Sequence, residues 1–359
     1  MKYQGSPTFS HSQQDKIGIL LTNLGTPDAP VKGALRRYLK QFLSDPRVVE
    51  VPRLLWTLIL NVVILNIRPA RSAEAYEKVW TERGSPLMYH TQDQSKALGE
   101  KLKQQFGEDI LVDFAMRYGS PSVDSVITKM LNKGVRKLLV LPLYPQYCAS
   151  TSASTFDAVA ESFKSKRWLP ELRFVSHYHD FPHYIQAVAD SIRAHWQSKG
   201  RADKLIFSYH GIPLRYLLQG DPYHCECYLS ARLVAENLGL EADQYLVSFQ
   251  SRFGREEWLK PYTDHILKAL PAQGIKSVQV VCPGFSADCL ETIEEIGMEN
   301  REYFISAGGE KYEYIAALNA DDRHIDALAK LVEQHMQGWE RPHTSALRAK
   351  LACALGAKS

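Results

Sequence analysis

Short apolar runs alternate with amphipathic stretches along most of this chain, and that alternation restricts the folds available to it. An apolar run at 17–24 ends in a Gly-Thr-Pro sequence, which predicts a buried strand and its loop. Large apolar residues recur every four positions at 98–106, which predicts one face of a helix. Next come predicted strands at 110–116 and 137–143 with a helix at 123–131 between them. Strands alternating with helices predict a parallel sheet covered by helices on both faces.

A second set of alternating elements follows the first. Its predicted strands lie at 172–176, 205–209, 245–249 and 277–282, and its helices at 184–196, 230–238, 256–270 and 290–298. A length of 359 residues suits two domains. We therefore predict an α/β fold with an N-terminal domain at 16–147, a C-terminal domain at 148–324, a helix at about 325–340 that returns to the first domain, and a tail at 341–359.

Composition excludes several classes of protein. The chain has 43 basic and 40 acidic side chains, and a net charge of +3 argues against a nucleic-acid partner. It contains neither a Gly-rich dinucleotide fingerprint nor a P-loop, so no nucleotide cofactor is expected. Six scattered cysteines indicate a reducing compartment, and the polar stretch at 1–16 has no targeting signal. We expect a cytoplasmic protein.

The longest apolar run, at 54–67, allows two interpretations. Its 14 residues are too few to cross a bilayer, which needs about 20. On the run alone, a buried core helix is favoured. The alternative is a segment that lines a cleft or lies on a lipid surface, which the basic flanks Arg53, Arg68 and Arg71 would suit.

The residues that follow each predicted strand should hold the chemistry, because ligands bind at the carboxyl ends of parallel strands. Aromatic and basic side chains are frequent there: Arg117, Tyr118, Tyr144, Tyr147, Tyr209, Phe249, Arg252 and Phe253. Such a set favours a large, flat, apolar ligand with acidic edges, held by stacking and by guanidinium pairing.

One histidine and a group of acids stand out at the strand ends of the second half. His210 directly follows an apolar strand, and Asp288, Glu291 and Glu295 recur along the start of a predicted helix. Asp288 is explained as a helix cap. His210 and Glu291 together predict an incomplete site for a borderline divalent metal such as Fe²⁺, with open positions for the substrate. Glu295 is either solvated surface or part of a path for protons or metal.

A second histidine cluster, at His177, His179 and His183, falls in a strand-to-helix loop. No carboxylate or cysteine lies near it at ligand spacing in the sequence, so a metal role is not favoured there.

Seven motifs, in order along the chain, resemble the ferrochelatase family, which inserts ferrous iron into a porphyrin. They are LLTNLGTP at 20–27, FLSDPRVV at 42–49, LPLYPQY at 141–147, SYHGIP at 208–213, GDPY at 220–223, SFQSRFG at 248–254 and PGFSADCLET at 283–292. Each motif alone is weak, whereas seven in the family order are specific. The resemblance extends over about 17–337.

The resemblance implies two flavodoxin-like domains with a porphyrin in the cleft between them. It implies that His210 is the catalytic base and a metal ligand, that Glu291 is its acidic partner at the metal, and that Glu295 is a further catalytic acid. The implied porphyrin contacts are Arg68, Arg71, Tyr76, Ser85, Arg117 and Tyr118. The apolar segment at 54–67 then resembles the lip of the cleft, which favours its membrane-facing interpretation.

The implied reaction is insertion of Fe²⁺ into protoporphyrin IX to form protohaem, with release of two protons, so the chain is expected to be a lyase. Alternatives are a coproporphyrin ferrochelatase, another tetrapyrrole chelatase, and a non-catalytic porphyrin or haem carrier. A carrier would not need the pair of His210 and Glu291. Expected partners are the porphyrin, a peripheral membrane surface and the preceding porphyrinogen-oxidation enzyme, with the chain acting as a monomer.

The sequence departs from the family pattern in two places. Many members carry a histidine two residues before the catalytic glutamate, where this chain has Cys289. Members with a [2Fe–2S] cluster use four cysteines, several of them close together. Here only Cys225 and Cys227 are close in sequence, so we expect no cluster.

Overall fold

A computed structural model of the chain describes residues 3–5, 10–254, 256–339 and 345–357. In these ranges the backbone forms two four-stranded parallel sheets with strand orders β2-β1-β3-β4 and β6-β5-β7-β8. Helices flank both sheets, so the predicted α/β class is confirmed.

The strands follow the apolar runs closely. They are β1 Lys16–Gly25, β2 Ile110–Tyr118, β3 Val135–Pro142, β4 Glu171–Phe174, β5 Lys204–His210, β6 Tyr245–Gln250, β7 Ser277–Val281 and β8 Lys311–Ile315. Alternate side chains of β1 face opposite sides of the sheet: Ile19 and Leu21 pack in one apolar cluster, and Leu20 packs in another. The first of these clusters also contains Phe207 of β5, so one apolar core is continuous between the two halves.

The helices connect the strands. They are α1 Lys32–Leu43, α2 Arg53–Ile59, α3 Leu65–Val79, α4 Pro86–Phe106, α5 Val123–Asn132, α6 Ser154–Lys164, α7 Pro182–Lys199, α8 Leu214–Leu218, α9 Tyr223–Leu238, α10 Thr263–Ala269, α11 Asn300–Ser306, α12 Asp322–His335 and α13 Ser345–Ala354. Three π-helical segments, Leu60–Ile64, Ala149–Ala153 and Glu291–Glu299, and a 3-10 turn, Leu270–Gln273, complete the helical elements.

The predicted division between the halves is wrong in one respect. Strand β4 was assigned to the second half, but it pairs with β3 as the edge strand of the first sheet. The second domain therefore does not begin at residue 148, and the chain crosses between the sheets only after β4. Helix α12 contacts both α4, in the first half, and α7, which follows the crossover, so it packs between the two halves.

One predicted helix is shorter than expected. The pattern at 256–270 predicted a continuous helix, but α10 begins at Thr263, after an extended Tyr262. Pro261 explains the difference, because proline in a helix interior lacks an N–H and collides with the preceding turn.

The apolar run at 54–67 belongs to one continuous helix, Arg53–Val79, which we name the lip helix. One side packs on the core: Trp56, Leu60 and Leu65 are buried with side chains of α1. The other side exposes apolar residues at Leu54, Leu55, Leu58, Val62, Val63 and Ile67. The segment is therefore neither a fully buried core helix nor a free apolar stretch.

The folded helix is longer than the 14-residue apolar run on which the length prediction was based. By length and composition alone, its 27 residues would suffice to cross a membrane. Its π segment adds one residue to a turn, and the buried residues are accordingly spaced four, five and four apart at Trp56, Leu60, Leu65 and Pro69. That spacing keeps one face on the core and leaves the opposite face exposed.

The C-terminal tail contains a helix, α13, that is tied to the start of the chain. The guanidinium of Arg348 donates to the Asp15 carboxylate at 2.7 Å and to the Gln13 carbonyl at 2.6 Å. The described part of the tail is thus anchored beside β1.

Gly25 ends β1 where this strand meets the end of β2. It has a φ of 110°, and a Cβ there would lie 1.8 Å from the Tyr118 carbonyl oxygen. Only glycine allows this approach, and the Gly25 carbonyl in turn accepts a hydrogen bond from the Tyr38 hydroxyl at 3.0 Å. The close contact brings the loops that follow β1 and β2 together.

Candidate active site

Loops from the strand ends of both sheets meet in one region. The Gln94 amide on α4 donates to the Ser286 carbonyl at 2.8 Å and to the Asn319 carbonyl at 3.1 Å, both in the second half. At the end of the lip helix, Lys78 pairs with Glu294 at 2.7 Å. These contacts close one side of a cleft between the halves.

His210 is the last residue of β5, which lies between β6 and β7. Its Nδ1 lies 2.6 Å from the Gly211 carbonyl oxygen, which can only accept, so Nδ1 carries the proton. In the neutral imidazole, Nε2 is then the nitrogen that can accept a proton or bind a metal. A Cβ at Gly211 would lie 2.9 Å from the Gln250 carbonyl oxygen, so this position requires glycine.

Gln250 connects His210 to the acidic helix. It is the partner of His210 in the β5–β6 register, and its amide donates to the Glu291 carbonyl at 3.2 Å. The Oε1 atom of the Gln250 side chain accepts a hydrogen bond from the Ser208 hydroxyl at 2.7 Å, and this bond orients the side-chain amide. Since β7, which leads to Glu291, is the other neighbour of β5, the structure brings His210 and Glu291 to the same sheet edge, as predicted.

Glu291 and Glu295 lie on a π-helical segment, Glu291–Glu299. Hydrogen bonds in a π-helix run from i to i+5, so one turn holds more than the 3.6 residues of an α-helix. Residues four apart share one face of the segment, so Glu291, Glu295 and Glu299 follow one another along one side, and Glu291 and Glu299 both act on the Glu295 carboxylate. We name these three residues the acid column.

Glu295 is the best-defined member of the acid column. Burial raises its pKa to about 7, and the nearby Glu291 carboxylate adds to the rise. Ser251 partly opposes the shift, because its N–H donates to the carboxylate at 2.8 Å and its hydroxyl donates as well. Ser251 has a φ of 65°, uncommon for a residue with a side chain, and this conformation points both donors at Glu295. Glu295 is thus a hydrogen-bonded, largely buried acid and not solvated surface.

Arg117 and Tyr118 form a network at the end of β2. The Arg117 guanidinium pairs with Asp45 at 2.5 Å and donates to the Ser154 hydroxyl at 2.7 Å. The Tyr118 hydroxyl donates to the same Asp45 carboxylate at 2.8 Å. Burial alone would raise the pKa of Asp45, but hydrogen bonds from Ser154, the Arg47 N–H and Tyr118 outweigh it and lower the pKa. The charge of Arg117 is thus already balanced.

Four of the six predicted porphyrin contacts are less accessible than the sequence suggested. Tyr118 is fully buried, so in this conformation it offers no surface to a ring. Tyr76 and Ser85 are also buried, and Ser85 accepts a hydrogen bond from Thr26 at 2.7 Å. Arg117 is engaged as described. These side chains lie beneath the surface residues and support them.

Arg68 and Arg71 are better placed for a ligand. The Arg68 guanidinium lies 4.6 Å from the centre of the Phe253 ring, so it contacts the second half across the cleft. Burial lowers the pKa of Arg68, and the Glu291 carboxylate acts in the opposite direction. Arg71, one turn further along the lip helix, is exposed. Within the part of the chain that the structure describes, neither guanidinium has a carboxylate partner.

The two remaining residues singled out near the acid column have structural roles. Asp288 accepts hydrogen bonds from Thr292 at 2.9 Å and Tyr314 at 2.7 Å, as expected of an acid that fixes the start of a helix. Cys289 is buried, and burial together with the Glu291 carboxylate raises the pKa of its thiol. It therefore does not replace the family's histidine as an exchangeable base.

Several residues of the site were not identified from the sequence. Asp45 lies within the motif at 42–49, and Tyr38 lies on α1; the sequence indicated no role for either residue. Tyr38 is buried, and after burial itself Tyr76 and Glu291 are the next largest causes that raise its pKa, so it lies beside both. Tyr144, by contrast, is one of the strand-end aromatics named from the sequence, and its buried hydroxyl has no hydrogen-bond partner among the described residues. A polar atom in an apolar motif was the available signal in each case.

The chain thus has a two-domain α/β fold with an imidazole and partly buried carboxylates at one sheet edge. The solved structure of SirB from Bacillus subtilis with Fe³⁺ is similar in fold, with a TM-score of 0.51 and 12% identity, covering 90% of this chain and 96% of that chain.

The chain belongs to the ferrochelatase family, whose profile matches residues 16–336. Ferrochelatase from Idiomarina loihiensis is 70% identical over 94% of this chain and 93% of the relative. Ferrochelatase from Pseudoalteromonas atlantica is 67% identical over 99% of both chains. The chain is accordingly a lyase of haem biosynthesis with Fe²⁺ and a porphyrin as its substrates, and the family resemblance inferred from the motifs is confirmed.

The raised pKa of Glu295 predicts a pH-dependent cost to stability. Burial favours the protonated acid, so the folded state loses stability as pH rises from 4.5 through about 7. Glu295→Gln removes this titration. The variant should match the parent near pH 4.5 and exceed it by up to about 3 kcal/mol above pH 7 in urea unfolding without metal or porphyrin. Glu302→Gln controls for loss of an exposed charge, and a difference that is constant with pH would contradict the assignment.

Proposed function

We propose that His210 and Glu291 perform the insertion of Fe²⁺ into protoporphyrin IX, with Glu295 as a further acid behind them. The observation that carries this proposal is the position of His210 at the end of β5. One neighbouring strand, β7, leads to the acid column, and the other, β6, is followed by Ser251, which donates to Glu295. The relatives' name favours ferrochelatase activity over the other tetrapyrrole chelatases and over a carrier without catalysis.

The chemistry requires a base and a metal ligand on one side of the ring. A free porphyrin carries two N–H protons that the metal must replace. The Nδ1–H of His210 donates to the Gly211 carbonyl, so in the neutral imidazole Nε2 is free to accept a pyrrole proton. Glu291 supplies a carboxylate to the arriving Fe²⁺ beside it. Substrate binding that distorts the ring toward its metallated geometry would lower the barrier further.

The acid column offers a route between this point and the surface. Its outer part borders a cavity of about 170 Å³ lined by Glu295, Glu299, Asp264 and Ser251. A carboxyl with a pKa of about 7 exchanges protons readily near neutral pH. We therefore assign Glu295 to proton release or metal delivery along the acid column.

His210→Ala and Glu291→Ala should each lower the rate of metal insertion by 10²–10⁴-fold while porphyrin still binds. The double variant should be little worse than either single variant, because residues that act as a unit are not additive. The measurement is anaerobic Fe²⁺ insertion followed by porphyrin absorbance, with fluorescence quenching for binding.

The matched control is His195→Ala, which removes an imidazole that lies 3.3 Å from the Glu313 carboxylate near the start of β5. It should leave insertion unchanged. Thermal melts separate loss of chemistry from loss of folding. Turnover close to the parent rate in either single variant, with an unchanged melt, would remove that residue from the mechanism.

Arg68 and Arg71 are proposed to bind the porphyrin propionates. Arg68→Met should raise the porphyrin KM several-fold or more and lower kcat less, since charged guanidinium–carboxylate contacts contribute about 1.5–3 kcal/mol. Arg68→Lys should recover part of the loss. Arg37→Met, which removes an arginine already paired with Asp28 at 3.2 Å, is the control. Equal use of the dicarboxylate porphyrin and its diester by the parent would refute propionate recognition.

The exposed face of the lip helix is proposed to lie on a membrane surface without crossing it. Trp56 donates to the Leu43 carbonyl at 2.6 Å, and the buried face of the helix packs on the core. Crossing a bilayer would expose that packed face. An amphipathic helix with basic residues at its flanks instead lies in the interface.

Leu58→Glu combined with Val62→Glu should reduce binding to vesicles that contain anionic lipid, because charges would enter the apolar boundary. Leu169→Glu, at an exposed apolar residue outside the lip helix, should bind as the parent does. Salt or alkaline carbonate should release the parent from membranes in fractionation. Retention through carbonate would show an integral anchor instead.

We further propose that the chain holds no [2Fe–2S] cluster. Among the described residues all six cysteines are free thiols; Cys289 lies beside Glu291 and Cys353 lies on α13. Cys148 and Cys227 are buried near one another, and burial raises the pKa of Cys148 to about 12, so this thiol is protonated. Two irons with labile sulfide in anaerobically purified protein would contradict the proposal.

The lip helix also supports a proposal for where the protein is located and which partners it meets. We propose a cytoplasmic monomer that associates peripherally with the inner face of the cell membrane and receives its apolar substrate from the preceding porphyrinogen-oxidation enzyme. The exposed apolar face beside the cleft supports this order of events, since a porphyrin would pass between enzymes along the lipid surface. Co-sedimentation with vesicles tests the membrane association, and size-exclusion chromatography tests the monomeric state.

A further inference from the structure

The histidine loop after β4 acquires a carboxylate that the sequence did not place there. Glu226 on α9 lies 2.6 Å from His177 Nδ1 and 3.3 Å from His179 Nδ1. Ligand atoms of the three residues all lie within 4.8 Å of one another. The expectation that no carboxylate accompanies these histidines is therefore wrong, because Glu226 arrives from a distant helix.

Two of the three side chains are buried, and one of these has a polar atom without a hydrogen-bond partner. Glu226 is 7% exposed and has no lysine or arginine partner among the described residues. His179 is 6% exposed, and its Nδ1 has no hydrogen-bond partner although it faces the carboxylate. A buried polar atom without a partner costs free energy unless something occupies the position before it.

The cluster also lies at a structural junction. His177 and His179 belong to the loop by which the chain leaves the first sheet, and Glu226 belongs to a helix of the second half. The same carboxylate accepts a hydrogen bond from the N–H of Tyr147, which follows β3, at 2.6 Å. An ion bound here would join the crossover, the end of β3 and α9.

We propose that His177, His179 and Glu226 form a second metal site, separate from His210 and Glu291, for a borderline divalent transition ion such as Zn²⁺. Two imidazoles and one carboxylate are a ligand set that such ions accept, with the fourth position open to water. His177 is half exposed and lines a cavity of about 590 Å³, through which water and metal reach the cluster. On binding, the Nδ1 proton of His177 moves to Nε2 through solvent, and Nδ1 becomes the ligand.

The site is structural in its effect: the bound ion stabilises the crossover between the two sheets and takes no part in iron insertion. Metal binding to the folded state alone raises the melting temperature in proportion to the logarithm of metal concentration over Kd. At about one hundred times Kd, a rise of several degrees is expected for a chain of this size.

The test uses metal-stripped protein without porphyrin, in a His210→Ala, Glu291→Ala background that removes the substrate site. Co²⁺ should bind with one equivalent and produce a visible ligand-field band, and Zn²⁺ should displace it and raise the melting temperature. Adding His177→Gln should abolish the band and the thermal shift, with little effect on the melt of the metal-free protein, because this side chain is at the surface. Glu226→Gln keeps the hydrogen bond to Tyr147 and should also abolish the Co²⁺ band and the thermal shift.

His183→Gln is the matched control, since His183 lies at the start of α7 and borders the same cavity without joining the cluster. It should leave the Co²⁺ band and the thermal shift intact. Absence of a band in the background protein, or a stoichiometry that His177→Gln does not change, would overturn the proposal. Iron insertion by the otherwise unmodified His177→Gln variant should equal that of the parent, so failure here is distinguishable from failure of the assigned active site.

Discussion

All strands of each sheet run parallel, and this constraint determines where the chemistry lies. A parallel connection must return the chain to the same starting edge, so every strand of a sheet ends at the same opposite edge. In the second sheet β5 lies between β6 and β7, and the residues that end or follow these strands are His210, Gln250 and the loop to Glu291. No long-range folding event beyond sheet formation is needed to assemble them. The glycines at Gly25 and Gly211 then permit the close approaches that shape each edge.

The acid column depends on a less common choice of backbone. Glu291, Glu295 and Glu299 share one face of the π-helical segment, which brings their like charges together. Such an arrangement is unfavourable for stability, and burial of Glu295 makes it more so. Ser251, in a left-handed conformation, supplies the compensating donors. Strain and repulsion collected beside His210 indicate that function and not stability selected this geometry.

Much of the architecture could be predicted because apolar runs report buried strands directly. The strand that ends at His210 and the helix that begins near Glu291 were located from such runs and from the residues that end them. Strand β4 was misassigned because four residues at a sheet edge carry no information about which sheet they join. The partner of His179 was missed because Glu226 is brought close only by tertiary folding. The π-helical register was missed as well, since an apolar pattern does not distinguish four residues per turn from 3.6.

The lip helix connects two regions that are otherwise described separately. Its 27 residues extend about 40 Å, from the exposed leucines at one end to Lys78, paired with Glu294 of the π segment, at the other. The helix departs from regular α-helical hydrogen bonding at two places, the π turn Leu60–Ile64 and Pro69, and these are the places where it can bend. One helix thus joins the exposed apolar surface to the π-helical segment Glu291–Glu299, with both interruptions lying between the two regions.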